Sequence, residues 1–146
     1  MIKKKKKLYL AAPLFSQSEI EFNRKIKMLL SPYFDIYLPR EDAGLVSQIM
    51  KKESKDTDKI GLGIFKKDLD AMDSADIVLI ILDGRAVDEG AAFELGYMFA
   101  RKKKCLGLIT DTRRPFPTGI NPMLKYSCEF IFTSLKELQN WAKLQR

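Results

Sequence analysis

Histidine is absent from the 146-residue sequence, and cysteine occurs only twice, at Cys105 and Cys128. Without histidine the chain has no Ser-His or Cys-His nucleophilic pair and no imidazole ligand for a metal, so acid–base chemistry falls to carboxylates, tyrosine or lysine. Both cysteines begin apolar runs and are expected to be buried thiols, because two cysteines do not make a disulfide framework. We expect neither a metal nor another cofactor, and any catalysis should depend on carboxylates.

Long apolar runs are also missing. No stretch reaches the about 18 apolar residues that a membrane-spanning helix needs. The lysine-rich N-terminus is not followed by the apolar segment of a secretory signal. We therefore expect a cytoplasmic protein without a membrane partner. The length fits one domain, which we place at residues 8–146, after a disordered basic tail at residues 1–7.

The positive charge is concentrated in two places. The net charge is +7, and residues 3–7 together with residues 101–104 contribute nine positive charges, so the remainder of the chain is net negative by two. The second run lies at the expected end of a helix, where cations are favourable. Neither run is interleaved with the aromatic residues on which single-stranded nucleic acids stack. We expect no nucleic-acid partner.

Apolar runs that are typical of strands alternate with helical patterns along the chain. The predicted strands are residues 8–12, 35–38, 77–82, 105–109 and 129–132, and the predicted helices follow Ser16, cover residues 64–73 and about 89–102, and follow Ser134. This alternation indicates a single-domain α/β protein with a flavodoxin-like three-layer sandwich and a five-stranded parallel sheet in the order 2-1-3-4-5. A polar loop is expected at residues 39–42, and a surface excursion or mobile flap at residues 43–63.

The residues after the third predicted strand bring two carboxylates to the edge of the sheet. Asp88 lies in the turn and Glu94 one to two turns into the helix, at the carboxyl end of a parallel strand, where open α/β sheets bind ligands. Gly90 would let a ligand approach the backbone closely. A purely structural interpretation is also open, in which Asp88 is an N-cap and Glu94 a solvated helix residue. Helical periodicity likewise favours an exposed Asp68.

Four motifs connect these carboxylates to a known family, and they occur in the order Tyr9-Leu-Ala-Ala-Pro-Leu-Phe15, Lys67-Asp68-Leu69, Asp88-Glu-Gly-Ala-Ala-Phe-Glu-Leu-Gly96 and Asn121-Pro-Met123. Together they resemble the nucleoside 2-deoxyribosyltransferase family over most of the chain, and the third motif is the specific one. The resemblance implies an enzyme of purine salvage that transfers 2-deoxyribose between nucleobases. Its partners would be 2′-deoxynucleosides and free bases.

The resemblance also implies a division of roles. Glu94 would attack the anomeric carbon and form a covalent glycosyl-enzyme, and Tyr9 would hydrogen-bond Glu94. Asp68 and Asp88 would share proton transfer to the base and binding of a sugar hydroxyl. The candidate substrate-binding residues are Phe15, Asp42, Gly90, Asn121 and Met123. The last two are implied to reach into a neighbouring subunit's site, which would require a homo-oligomer, either a dimer or a trimer of dimers.

Two departures from the family pattern concern base specificity. The loop after the second strand reads Pro39-Arg-Glu-Asp-Ala43, where many members have a glutamine that holds the base. The sequence also lacks the extended C-terminal tail of some relatives. Purine-only exchange and purine-plus-pyrimidine exchange therefore both stay open.

Three other classes of protein share parts of this pattern. A 2′-deoxynucleoside 5′-monophosphate N-glycosidase would share the fold and the nucleophile but would need a phosphate-binding loop, and near the first loop only Ser16 and Ser18 offer hydroxyls. A receiver-like phosphoacceptor domain needs a lysine after a later strand, which residues 106–110 do not supply. A non-catalytic nucleotide-binding module would tolerate the loss of Glu94.

Overall fold

The computed structural model describes residues 4–42, 57–111, 113 and 119–145, without the side chains of Arg40 and Asp42. Its sheet has five parallel strands in the order β2-β1-β3-β4-β5. The strands are β1 (Lys7–Ala11), β2 (Asp35–Tyr37), β3 (Ile77–Ile81), β4 (Lys104–Leu108) and β5 (Phe130–Phe132). The predicted α/β class, parallel sheet and strand order are confirmed.

The helices of the described residues are α1 (Gln17–Leu30), α2 (Pro39–Asp42), α3 (Thr57–Ser74), α4 (Glu89–Ala100), α5 (Pro122–Ser127) and α6 (Leu135–Lys143). Polar side chains begin the predicted helices as expected. Ser16 accepts a hydrogen bond from the backbone N–H of Glu19, whose carboxylate returns to the backbone N–H of Ser16, forming a capping box. The Ser134 side chain caps α6 by accepting a hydrogen bond from the backbone N–H of Glu137.

The two faces of the sheet pack against different helices, because successive strand residues point in opposite directions. Leu8 and Leu10 of β1 belong to the core layer that contains α1 and α6, whereas Tyr9 and Ala11 belong to the layer that contains α3 and α4. Covering both faces with helices explains why the central residues of the strands are apolar. Tyr9 of β1 brings a hydroxyl into an apolar layer and is fully buried.

Two segments differ from the expectation. Residues 39–42 form a helix rather than a loop, because Pro39 fits the first helical position, where a missing N–H costs nothing. Residues 57–63 are the first turns of α3 rather than part of an excursion. Gly61 and Gly63 each disfavour a helix by about 1 kcal/mol, and packing of the later α3 residue Met72 in the core outweighs that local preference. Residues 43–56 lie outside the described residues.

Strand β1 begins one residue earlier than the predicted strand at residues 8–12. Lys7 is the first residue of β1, and the Nζ of Lys5 donates a hydrogen bond to the carbonyl of Ser31. Of the proposed basic tail, residues 1–3 are outside the described part of the chain. Within the ranges that the structure describes, no helix combines the length and the apolar character needed to cross a bilayer.

Candidate active site

The carboxyl ends of β1 and β3 lie side by side in the middle of the sheet. The two strands pair in parallel, and the chain leaves β1 toward β2 on one side and β3 toward β4 on the other. This point of reversal is where open α/β sheets form a ligand crevice. Helix α4 starts there with Asp88 as its N-cap and carries Glu94 in its second turn.

Glu94 is paired with the buried phenol of Tyr9. The Tyr9 hydroxyl donates a hydrogen bond of 2.6 Å to Oε1 of Glu94, although the two residues are 85 positions apart in the chain. The hydrogen bond that the family resemblance implies is therefore present. Glu94 is partly buried and is not the solvated helix residue of the structural interpretation. Its second oxygen, Oε2, is not engaged by Tyr9.

The surroundings of Glu94 favour its protonated form. Burial raises the pKa of Glu94 to about 8, the charges of Asp68 and Asp88 add to the increase, and the hydrogen bond from Tyr9 opposes it. Burial, followed by the charge of Glu94, raises the pKa of Tyr9 far above its ordinary value, so Tyr9 remains a hydrogen-bond donor at all accessible pH. A carboxylate with this degree of desolvation is reactive once it is ionised, and perturbed groups of this kind cluster at functional sites.

Glu94→Gln should stabilise the protein at alkaline pH. The folded-state pKa is raised, so the stability that protonated Glu94 contributes is complete below 4.5 and is lost as the pH rises through about 8. At about 1.4 kcal/mol per pKa unit, and with allowance for relaxation of the site, the advantage of the variant over wild type should grow by roughly 3 kcal/mol across that range. Urea unfolding at several pH values measures this difference. An advantage that does not change with pH would contradict the raised pKa.

Asp88 has a structural role that also fixes its orientation. Its Oδ2 accepts a hydrogen bond of 2.9 Å from the backbone N–H of Ala91, so the predicted N-cap is present. Gly90 leaves room for this arrangement, because a Cβ at that position would lie 3.2 Å from Oδ2 of Asp88. This hydrogen bond fixes the orientation of the Asp88 carboxylate. The charge of Asp88 acts on Glu94, six residues further along the chain.

Asp68 reaches the same region from α3. It is partly buried, unlike the exposed Asp70 and Asp73 on the same helix, so the exposed position that periodicity favours is wrong. The Tyr37 hydroxyl donates a hydrogen bond of 3.0 Å to Oδ1 of Asp68. Burial raises the pKa of Asp68, while the hydrogen bond from Tyr37 and the charge of Lys67 lower it.

Tyr37 is the site residue that the sequence did not reveal. It is the last residue of β2 and pairs with Tyr9 in the parallel register, and the two rings stack with centroids 5.3 Å apart. A tyrosine at the end of a short strand is an unremarkable sequence feature. Its importance depends on the strand register, which brings it between Tyr9 and Asp68.

Four further residues are candidates for substrate binding, and the structure describes the side chains of three of them. Phe15 is 79 % exposed in the loop after β1. The side chain of Asn121 caps α5 by accepting a hydrogen bond of 2.9 Å from the backbone N–H of Met123, and Met123 itself is 79 % exposed. Asp42 ends α2, and its side chain lies outside the described residues. Their roles in substrate binding stay predictions.

The three carboxyl groups and the Tyr9 hydroxyl at this site are chemically suited to cleavage of a glycosidic bond. Such reactions pass through an oxocarbenium-like transition state, which a buried carboxylate stabilises or traps, while a second carboxyl group moves the proton of the leaving group. Glu94, which accepts a hydrogen bond from Tyr9 at one of its oxygens, is the candidate for the first function. The charges of Asp68 and Asp88 both act on Glu94, and these two carboxyl groups are the candidates for the second function.

The sequence matches a model of the nucleoside 2-deoxyribosyltransferase family over residues 8–127. An uncharacterized protein of Ureaplasma parvum serovar 3 is 30 % identical over 102 residues, which is 68 % of this chain. The match spans 63 % of the length of that relative.

Solved structures resemble the chain over nearly its whole length. A 2-deoxyribosyltransferase from the psychrotolerant bacterium Bacillus psychrosaccharolyticus has a TM-score of 0.76 at 24 % identity, covering 92 % of this chain and 90 % of that one. A conserved protein from Enterococcus faecalis V583 gives 0.72 at 24 % identity, with 97 % and 99 % covered. A CMP N-glycosidase from Clostridium botulinum gives 0.57 at 19 % identity, with 97 % and 100 % covered. These likenesses concern the fold.

Proposed function

Since the chain belongs to the nucleoside 2-deoxyribosyltransferase family, we propose that it transfers a 2-deoxyribosyl group from one nucleobase to another through a covalent intermediate on Glu94. The observation that carries the proposal is the buried pair of Tyr9 and Glu94 at the carboxyl edge of the sheet. Tyr9 occupies Oε1 of Glu94, which leaves Oε2 for the anomeric carbon.

Two displacements complete the reaction. In the first, ionised Glu94 forms a bond from Oε2 to C1′ of the nucleoside, the bond from C1′ to the base nitrogen breaks, and the base leaves with the electron pair and a proton from a carboxyl group. In the second, a nitrogen of the incoming base attacks C1′, the ester bond to Glu94 breaks, and the proton returns to the carboxylate. Asp68 and Asp88 share the proton transfer and the binding of a sugar hydroxyl.

Tyr9 supports the second displacement in particular. When the ester bond breaks, negative charge returns to Glu94, and the hydroxyl at 2.6 Å is already placed to stabilise it. Because the pKa of Tyr9 is raised far above its ordinary value, mainly by burial, the phenol keeps its proton and does not compete as an anion. Glu94 is thereby a competent leaving group as well as a nucleophile.

The loop after β1 favours nucleosides over 5′-monophosphates as substrates. Backbone N–H groups at the start of a helix are a common binding site for phosphate. Here the carboxylate of Glu19 already accepts hydrogen bonds from the N–H groups of Phe15 and Ser16, at 3.0 and 2.8 Å. These contacts, that with Ser16 first, lower the pKa of Glu19, so the site holds a fixed negative charge that would repel a phosphate. The alternative function is an N-glycosidase of 2′-deoxynucleoside 5′-monophosphates, which the likeness in fold to a CMP N-glycosidase supports.

The apolar outer surface of α4 supports assembly with a second copy of the chain. Phe93 and Phe99 are each 54 % exposed, and the ring of Phe65 on α3 lies 6.4 Å from that of Phe93. The outer side of a helix on a monomer is normally polar, and exposed apolar patches mark interfaces. A Cβ at Gly96 would meet no atom within 4 Å, so another backbone has room to approach. Phe93 is next to Glu94 in the chain, and the second copy is proposed to contribute its exposed Met123 to the site.

One assay separates the candidate functions. The protein is incubated with deoxyinosine and free adenine, with deoxyinosine alone, and with deoxyinosine 5′-monophosphate alone. We expect deoxyadenosine to form in the first mixture and little free deoxyribose in the second. Rapid release of deoxyribose without adenine would indicate a hydrolase, cleavage confined to deoxyinosine 5′-monophosphate would support the nucleotide N-glycosidase, and no reaction with either substrate would contradict an enzymatic role.

Deoxyribonucleosides should exceed ribonucleosides as substrates by at least about tenfold in kcat/KM, which requires only ~1.4 kcal/mol of differential transition-state binding. The anomeric cation forms more readily without a 2′-hydroxyl, and a site closed over C2′ would exclude ribose by crowding. Rates of sugar transfer to adenine from deoxyinosine and from inosine measure the ratio. Equal rates would show that the site does not discriminate between ribose and 2-deoxyribose.

A further inference from the structure

Tyr37 connects the two halves of the proposed site. Its ring stacks on Tyr9 with an interplanar angle of 20°, and Tyr9 is fully buried and holds Glu94. Its hydroxyl donates to Oδ1 of Asp68. The two stacked tyrosines thus donate to different carboxylates: the Tyr9 hydroxyl donates to Glu94, and the Tyr37 hydroxyl donates to Asp68.

We infer that Tyr37 is a positioning residue, which fixes the carboxylate of Asp68 relative to the pair of Tyr9 and Glu94. The inference rests on the proposed function for its consequence in catalysis, whereas the contact itself does not depend on it. Asp68 lies on α3, and a helical aspartate without a partner can exchange between several rotamers. The hydroxyl of Tyr37 restrains one oxygen of Asp68 and leaves Oδ2 for substrate.

The anchor of Tyr37 explains how a residue of an edge strand holds a catalytic group. β2 has three residues and, among the described strands, pairs with β1 alone, so few backbone hydrogen bonds hold this strand in place. The pairing of Tyr37 with Tyr9 supplies the restraint, since offset stacking of two aromatic rings favours one relative placement. A small displacement of a catalytic group is sufficient to reduce a rate by an order of magnitude or more.

The hydrogen bond also affects the charge of Asp68. Burial favours its neutral form, and the donation from Tyr37 favours the ionised form. Removing the hydroxyl therefore raises the pKa of Asp68 as well as freeing its side chain. A residue that exchanges a proton with the base needs both forms to be accessible, which the opposing effects of burial and Tyr37 provide.

Tyr37→Phe is the direct test, because phenylalanine keeps the ring stack and loses only the hydroxyl. Tyr97→Phe is the matched control, since the Tyr97 hydroxyl makes the same kind of bond, 2.8 Å to Oδ1 of Asp73, on the exposed side of α3. We expect Tyr37→Phe to lower kcat/KM for base exchange by roughly 10- to 100-fold, and Tyr97→Phe to leave it within about twofold of wild type. Wild-type kcat/KM in Tyr37→Phe would overturn the inference.

A double-mutant cycle distinguishes positioning through Asp68 from a general structural effect. If Tyr37 acts through Asp68, then Tyr37→Phe should change the residual rate by less than about twofold in an Asp68→Asn background. Equal effects in both backgrounds would show that Tyr37 acts independently of Asp68 and would contradict the inference.

An NMR titration keeps the inference testable even if the proposed reaction is wrong. The Asp68 carboxyl, assigned by the signal lost in Asp68→Asn, should titrate at a higher pH in Tyr37→Phe than in wild type and at an unchanged pH in Tyr97→Phe. An unchanged Asp68 titration in Tyr37→Phe would overturn the inference, whereas failure of base exchange in the wild-type protein would contradict only the proposed function.

Discussion

Replacing Glu94 by glutamine should lower the rate of base exchange by at least about 1,000-fold, which corresponds to roughly 4 kcal/mol of transition-state stabilisation. The amide keeps the size of the side chain and still accepts the hydrogen bond from Tyr9, so the fold and the binding pocket are retained. It does not form the ester to C1′, and the covalent route is therefore lost. Initial rates of deoxyadenosine formation from deoxyinosine and adenine measure the effect.

Glu89→Gln is the control for this substitution. Glu89 is the other glutamate of α4 and is exposed at the first helical position. Its replacement removes the same charge from the same helix, and we expect kcat/KM to remain within about twofold of wild type, as for most surface substitutions. If Glu94→Gln retained a tenth of the wild-type rate, Glu94 would not be the nucleophile.

Mixing two inactive variants should restore activity if neighbouring subunits share the site. Asn121→Ala keeps Glu94, and Glu94→Gln keeps Asn121, so each mixed dimer contains one site with both residues intact. After complete exchange of subunits in an equal mixture, about one quarter of all sites should be active. Asn121→Ala should also lower the stability of α5 by about 1 kcal/mol, because the side chain is its N-cap. The measurement is the rate of base exchange before and after the two variants are mixed.

A second mixture provides the control for subunit sharing. Glu94 and Asp88 belong to the same helix of one subunit. In a mixture of Glu94→Gln and Asp88→Asn, every site therefore lacks one of these two carboxylates, and mixing should restore no activity. Full activity of Asn121→Ala on its own would show that Asn121 caps α5 and is not needed for catalysis. Absence of rescue, or an active monomer by light scattering at the assay concentration, would contradict a shared site.

The sheet was predictable because its signals are local and its topology is restricted. Runs such as residues 77–82 are apolar at every position, which indicates strands covered on both faces. Right-handed crossovers between parallel strands then leave few ways to order them. The predictions fail where packing opposes a local preference. The glycines at positions 61 and 63 indicated a loop where the structure has the first turns of α3.

The site was predictable only in part. The carboxylates of Asp88 and Glu94 follow from their place after β3, but the partnership of Glu94 with Tyr9 came from the family resemblance, since no local pattern joins residues 85 positions apart. Tyr37 was missed because its bond to Asp68 depends on the register of β2 against β1 and on the path of α3. Both are tertiary properties that the sequence does not display.

Trapping the glycosyl-enzyme tests the role of Glu94 most directly. A 2-fluoro-2-deoxy nucleoside slows both displacements, because fluorine at C2′ disfavours the oxocarbenium-like transition states, and the intermediate then accumulates. After quenching and proteolysis, mass spectrometry should find one fluorosugar on the peptide that contains Glu94, and Glu94→Gln treated in the same way should remain unmodified. An unmodified wild-type protein under conditions in which base exchange proceeds, or an adduct on another residue, would contradict covalent catalysis by Glu94.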